Sequence, residues 1–135
     1  MKIELTPQES ETHFYNSLCN GLGYMTGYGI DLTCKSSEYK SASIKLKEST
    51  SDMVCYEDIL MEILRSGGTL TFVDNEDRDE EGNTSPIASI TLADVHTRVS
   101  NTPIRHLMDA INENDDADTA DVIIQTVFFN EIVYG

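Results

Sequence analysis

Carboxylates dominate the side chains that could do chemistry. One run, Asp74-Asn75-Glu76-Asp77-Arg78-Asp79-Glu80-Glu81-Gly82, holds six acids and a single base. A second, made of Asp109, Glu113, Asp115, Asp116, Asp118 and Asp121, has no base between its members. Oxygen ligands this dense suggest calcium, but a helix-flanked calcium loop needs ligands at alternate positions, Gly at the sixth and Glu at the twelfth. Counting from Asn75 puts Glu80 where Gly belongs, and counting from Asp77 puts Ala88 where the last Glu belongs. No specific metal or other cofactor is expected. Asp118 and Asp121 are assigned to capping the helix that follows, which leaves Asp115 and Asp116 with no local role. Carboxylates at this density can occupy a basic cleft as a phosphate backbone would, with long-range steering aiding the encounter. Asp74, Glu76, Asp77, Asp79, Glu80, Glu81, Asp109, Glu113, Asp115, Asp116 and Asp118 are therefore the expected partner-binding surface.

Other chemistries find less support. A nucleophile needs a base within reach, and Cys19 and His13, six positions apart, fall on different faces of one helix. His96 and His106 sit on neighbouring helical segments and read as packing or surface groups. Cys19, Cys34 and Cys55 are widely spaced, so a zinc site would have to recruit His13, His96 or His106 from afar, and free buried thiols are expected instead. The stretch Gly21-Leu22-Gly23-Tyr24-Met25-Thr26-Gly27-Tyr28-Gly29 fails the dinucleotide fingerprint, because Thr26 stands at the third glycine, and it lacks the Lys of a phosphate loop. It reads as a small-residue packing surface. Its functional alternative is a small-ligand groove lined by Tyr15, Tyr24 and Tyr28. No catalytic residue is assigned, and the chain is not expected to be an enzyme.

The 135 residues suit one domain. Lys plus Arg number 9 against 24 Asp plus Glu, a formal net charge of -15, which disfavours nucleic acid as a direct partner. Residues 1–50 carry a net of -1, with Lys35, Lys40, Lys45 and Lys47 clustered, and residues 51–135 carry -14. No apolar run is long enough to cross a membrane, and Met1-Lys2-Ile3-Glu4-Leu5 lacks a signal peptide's apolar core. Three cysteines without such a leader point to a reducing, cytoplasmic setting.

The elements that position these groups follow from capping and periodicity. Thr6-Pro7 with Glu9 opens a helix whose apolar face is Phe14, Tyr15, Leu18, Cys19 and Leu22, stopping at Asn20-Gly21. Residues 35–51 are ambiguous between strand and helix, and helix is preferred. Residues 56–66 form a helix with Ile59, Leu60, Ile63 and Leu64 inward, ended by Gly67-Gly68. Thr69–Val73 and Ala88–Leu92 alternate as two strands of an antiparallel hairpin, joined by a long, mobile acidic loop from Asp74 to Pro86. Helices then cover about Leu92 to Ser100, the segment after Asn101-Thr102-Pro103 with Ile104, Leu107, Met108 and Ile111, and Asp118 to Tyr134. The last is apolar nearly all round, so it is buried inside the domain or against a second subunit; its β-branched residues keep a strand open for part of it. The core should contain Phe14, Leu18, Ile59, Ile63, Leu70, Phe72, Ile90, Leu107, Ile123, Val127 and Phe128.

The segment Ala120–Gly135 resembles the C-terminal stretch of small acidic proteins encoded by phages and mobile elements of gut bacteria. Tyr56–Leu64 followed by Gly67-Gly68-Thr69-Leu70 is similar too. The resemblance implies a setting, the host cytoplasm, and no mechanism or site residue.

The expected fold is α+β: four to five helices packed around a small antiparallel β-hairpin. The expected function is a non-enzymatic interaction protein of a phage or mobile element. Its negative surface would meet a basic surface of a host protein and inhibit a nucleic-acid-binding or defence protein. Such binding weakens with salt and is lost when Asp115, Asp116 and Asp118 are neutralised. The alternatives are a homo-oligomer formed through the C-terminal helix and a small-ligand binder using the Gly/Tyr region.

Overall fold

A computed structural model of the chain describes residues 3–114 and 116–135. The acidic run's Asp115 lies outside the described residues. In chain order the elements are α1 (Pro7–Gly27), β1 (Ile30–Thr33), α2 (Ser36–Ser49), α3 (Tyr56–Arg65), β2 (Leu70–Arg78), β3 (Thr84–Ile90), α4 (Leu92–Arg98), a 3-10 turn (Val99–Asn101), α5 (Ile104–Ile111) and α6 (Ala117–Phe129). The fold is α+β, and among the described residues it has six α-helices and a three-stranded antiparallel sheet in the order β1-β2-β3. Four to five helices and a hairpin understated it.

Helix starts follow their caps. Thr6 Oγ1 accepts from Glu9 N at 3.1 Å while Glu9 Oε1 accepts from Thr6 N at 2.9 Å. Asp94 Oδ2 accepts from Thr91 N at 2.9 Å in the same manner at α4. At α6 the cap is not Asp118. Asp116 Oδ1 accepts from Thr119 N at 2.9 Å, so the residue that lacked a local role is the one that starts the helix.

Helix ends depart from expectation twice. α1 runs through Asn20-Gly21 to Gly27, because Met25 continues its buried face and Gly21 is a contact point rather than a stop. A Cβ at Gly21 would lie 2.8 Å from Ala120 Cβ and 2.9 Å from the Ala120 carbonyl carbon. α6 ends at Phe129, not Tyr134, where Asn130 takes a left-handed conformation with φ 58°. The chain then folds back, and Tyr134 stacks on Tyr28 with ring centroids 5.3 Å apart.

The acidic loop is mostly strand. β2 continues to Arg78 and β3 begins at Thr84, leaving a turn over residues 79–83. Polar bonds replace apolar patterning there. Arg78 donates to Asn75 O (3.1 Å), Asn75 Oδ1 (2.7 Å) and Gly82 O (2.9 Å), and Asp79 Oδ1 accepts from the amides of Glu81 and Asn83 at 2.9 Å. β1 was hidden behind the glycines. Ile30 pairs with Asp74 and Thr33 with Thr71.

All the residues assigned to the core are buried, and Phe72 stacks on Phe128 with centroids 3.7 Å apart. α1 and α6 run antiparallel along each other, from Phe14 beside Phe128 (6.4 Å) to Gly21 against Ala120. α6 is thus covered from within the chain by α1, α4, α5 and β3, and its apolar circumference no longer calls for a second subunit. No helix among the described residues is long and apolar enough to cross a membrane.

Candidate functional site

The two acidic runs meet at the C-terminal end of α1. From one side, Tyr24 Oη donates to Asp118 Oδ1 at 3.0 Å and Tyr28 Oη to Asp121 Oδ2 at 3.1 Å. Neither carboxylate caps α6; both hold it against α1. From the other side, Asn75 N donates to Gly29 O at 2.9 Å, and the Glu76 carboxylate covers Gly29, lying 3.5 Å from where a Cβ would be. Gly29 has φ 81°, which favours glycine. Residues 24–29 therefore join the base of the acidic hairpin to the start of α6. Asp31 on β1 and Asp74, opposite Ile30, extend the same end.

The charge at this end is uncompensated. Among the described residues no carboxylate of the hairpin, and none of Asp109, Glu113, Asp116, Asp118 or Asp121, forms an ion pair. The nearby base, Arg78, spends its guanidinium on carbonyl oxygens. α1 has no basic residue in its last turn, so its helix dipole adds negative potential there. Two of the acids are structural as well as charged. The Asn83 amide holds Asp79 below the ordinary carboxylate range, and the Thr119 amide does the same for Asp116. The phenols of Tyr24 and Tyr28 are pushed up, Tyr24 by its bond to Asp118 and Tyr28 by burial and then by Asp121.

Asp77, Glu80 and Glu81 are exposed on the hairpin beyond Glu76. Asp109 is in the last turn of α5 and Glu113 follows the helix, with φ 58°; no contact among the described residues brings either to the tyrosines that hold Asp118 and Asp121. Lys35 follows the end of β1 away from the acidic runs. β1 leaves the acidic end at Ile30 and reaches Thr33, opposite Thr71, before Lys35 and α2. Of Lys35, Lys40, Lys45 and Lys47, Lys45 is paired, with Glu62 Oε1 at 2.7 Å.

Tyr15, Tyr24 and Tyr28 do not share a groove. Tyr24 and Tyr28 face α6, while Tyr15 Oη lies 3.6 Å from Cys55 Sγ on the α3 side. The thiols are free but not buried as expected: Cys19 and Cys55 are exposed and Cys34 is half-buried, and partial desolvation pushes Cys19 and Cys34 up rather than toward thiolate. His96 Nε2 is 2.9 Å from Glu11 Oε2 and His106 Nδ1 is 3.0 Å from Thr119 Oγ1, so both histidines tie helices together. Among the described residues no group of three His, Cys, Asp or Glu is arranged to hold a metal.

Two grooves flank α1. In the larger, about 710 Å³ between α1, α2 and α3, Glu11 accepts from Arg65 Nε at 2.9 Å and Asp58 accepts from Cys55 N at 3.2 Å. The smaller, about 630 Å³ between α1, β1 and the start of α3, carries the acids Asp31 and Glu57 and no base. Neither groove was anticipated; their walls come together only when α3 and β1 dock on α1. No family model, no curated protein and no solved structure matches the chain.

Proposed function

We propose that the chain is a non-enzymatic interaction protein whose acidic end binds the basic, nucleic-acid-facing surface of another protein. In this reading it acts for a phage or mobile element in the host cytoplasm and blocks the partner's access to nucleic acid. The observation that carries the reading is the approach of both acidic runs to the last turn of α1, at Tyr24, Tyr28 and Gly29, without a compensating base. A surface of this kind raises association rates and rejects acidic partners. Apolar contact is available next to the acids, because Ile104, Met108 and Ile111 form an exposed stripe on α5, which leads into the acidic turn.

The test immobilises the chain, passes bacterial extract over it, and repeats this with a variant carrying Glu76→Gln, Glu80→Gln, Glu81→Gln, Asp116→Asn and Asp118→Asn. Asn keeps the cap of α6 and the acceptor for Tyr24 while removing charge. A nucleic-acid-binding protein should be retained at low salt, released as salt rises and absent from the variant. Equal retention by the variant, retention insensitive to salt, or no retention at low salt would overturn the reading.

A further inference from the structure

Two of the three thiols approach each other on the ridge between the two grooves, a place that the acidic-end reading leaves unused. Tyr15 and Cys19 stand one turn apart on one face of α1. That face meets the start of α3. Tyr15 lines the larger groove with Asp58, and Cys19 lines the smaller one with Tyr56 and Glu57, the two residues that follow Cys55. The Tyr15 hydroxyl lies 3.6 Å from Cys55 Sγ. The same hydroxyl acts on Cys19: desolvation pushes that thiol up, a hydrogen bond with Tyr15 draws it back, and Glu57, Cys55 and Asp58 add to the rise. One phenol oxygen between two thiols keeps their sulfurs within about two hydrogen-bond lengths of each other. Both thiols are exposed to solvent, whereas Cys34 is half-buried beside Glu38. Cys55 also ends an irregular segment, residues 50–55, so its sulfur can advance without unwinding a helix. The half-buried Tyr15 ring has the open volume of the larger groove beside it to move into.

We propose that Cys19 and Cys55 are a modification site for hydroperoxides, which join them in a disulfide that staples α1 to the first turn of α3. Desolvation holds Cys19 toward thiol, so Cys55 reacts first. Its sulfur attacks one oxygen of hydrogen peroxide, the O–O bond breaks, water leaves, and Cys55 becomes a sulfenic acid. The Cys19 sulfur, once ionised, attacks Cys55 Sγ. The S–S bond forms as the S–O bond breaks, and the departing hydroxide takes the Cys19 proton to leave as a second water. Two thiols thus lose two protons and two electrons, and the peroxide is reduced to two waters. The cross-link closes the chain over β1 and α2 and restricts the unfolded state. A dithiol reductant reverses it.

The test treats the full chain with hydrogen peroxide, blocks the remaining thiols with iodoacetamide, and maps the peptides without reduction. The parent chain should lose the mass of two hydrogens, yield the Cys19 peptide linked to the Cys55 peptide, and leave Cys34 open to alkylation once the chain is unfolded. The rate should not change on dilution of the chain, because both sulfurs belong to one molecule. Dithiothreitol should restore the starting mass. The oxidised chain should melt about 5–10 °C above the reduced one. Cys34→Ser should form the same link. Cys19→Ser and Cys55→Ser, at exposed positions, should melt as the reduced parent does and carry sulfinic acid on the remaining exposed thiol in place of the link. Linkage through Cys34, dimers whose yield grows with concentration, sulfinic acids without a link in the parent chain, or intact thiols after treatment would overturn the proposal. A melting temperature that the link leaves unchanged or lowers would overturn the staple.

Discussion

A methyl group at Gly21 has nowhere to go: the Ala120 Cβ and carbonyl carbon stand within 2.9 Å of it, and backbone cannot swing aside as a side chain can. In an open helix Gly→Ala gains about 1 kcal/mol. At Gly21 the overpacking of α1 on α6 outweighs that gain, so Gly21→Ala should destabilise by about 1–2 kcal/mol in urea unfolding. Gln125 is the matching case on α6. It is fully buried, its Oε1 accepts from Val133 N and Tyr134 N at 2.8 Å, and its Nε2 donates to Asp121 Oδ1 at 3.0 Å and Tyr134 O at 2.9 Å. Gln125→Leu strands two amides and two acceptors. It should cost on the order of 2 kcal/mol and expose the 131–135 amides to hydrogen exchange. In the sequence Gln125 lies in a helix read as apolar nearly all round, and Gly21 read as a stop. The contacts that give them their roles lie 8–9 and 99 residues away along the chain, beyond any local pattern.

Elements with strong local chemistry were legible. Thr6 with Glu9, the 59/60/63/64 stripe of α3 and the Leu92 start of α4 all come from neighbours within four residues, and the structure keeps them. β1 and the outer half of the hairpin were not legible, since Ile30–Thr33 is only four residues long and Asp74–Arg78 holds its strand with polar bonds. The α1–α3–α4 contact supplies a prediction at this scale. Burial pushes the pKa of Glu11 up, but hydrogen bonds from His96 and Arg65 outweigh it and hold the group below the ordinary carboxylate range. A carboxylate depressed in the folded chain stabilises the fold above its unfolded pKa and loses that contribution as pH falls through the folded value. Melting temperature should therefore drop on acidification below the usual Glu range, and Glu11→Gln should make that acid limb shallower. An unchanged limb would mean that the pair carries no pH-dependent stability.

On the scale of the whole molecule two acidic runs that are separate in the sequence come together at the C-terminal end of α1. Most of the acids named for partner binding could be read from composition alone, because like charges in a run need no fold to be recognised. Their convergence could not, because it depends on Tyr24 and Tyr28 reaching α6 and on Asn75 reaching Gly29. The most direct measurement is the affinity for the retained partner as a function of salt, with and without duplex DNA. The account predicts an affinity that falls steeply with salt, loses that slope in the neutralised variant, and is abolished by competing DNA. A salt-independent affinity, or a complex that binds DNA and this chain together, would contradict it.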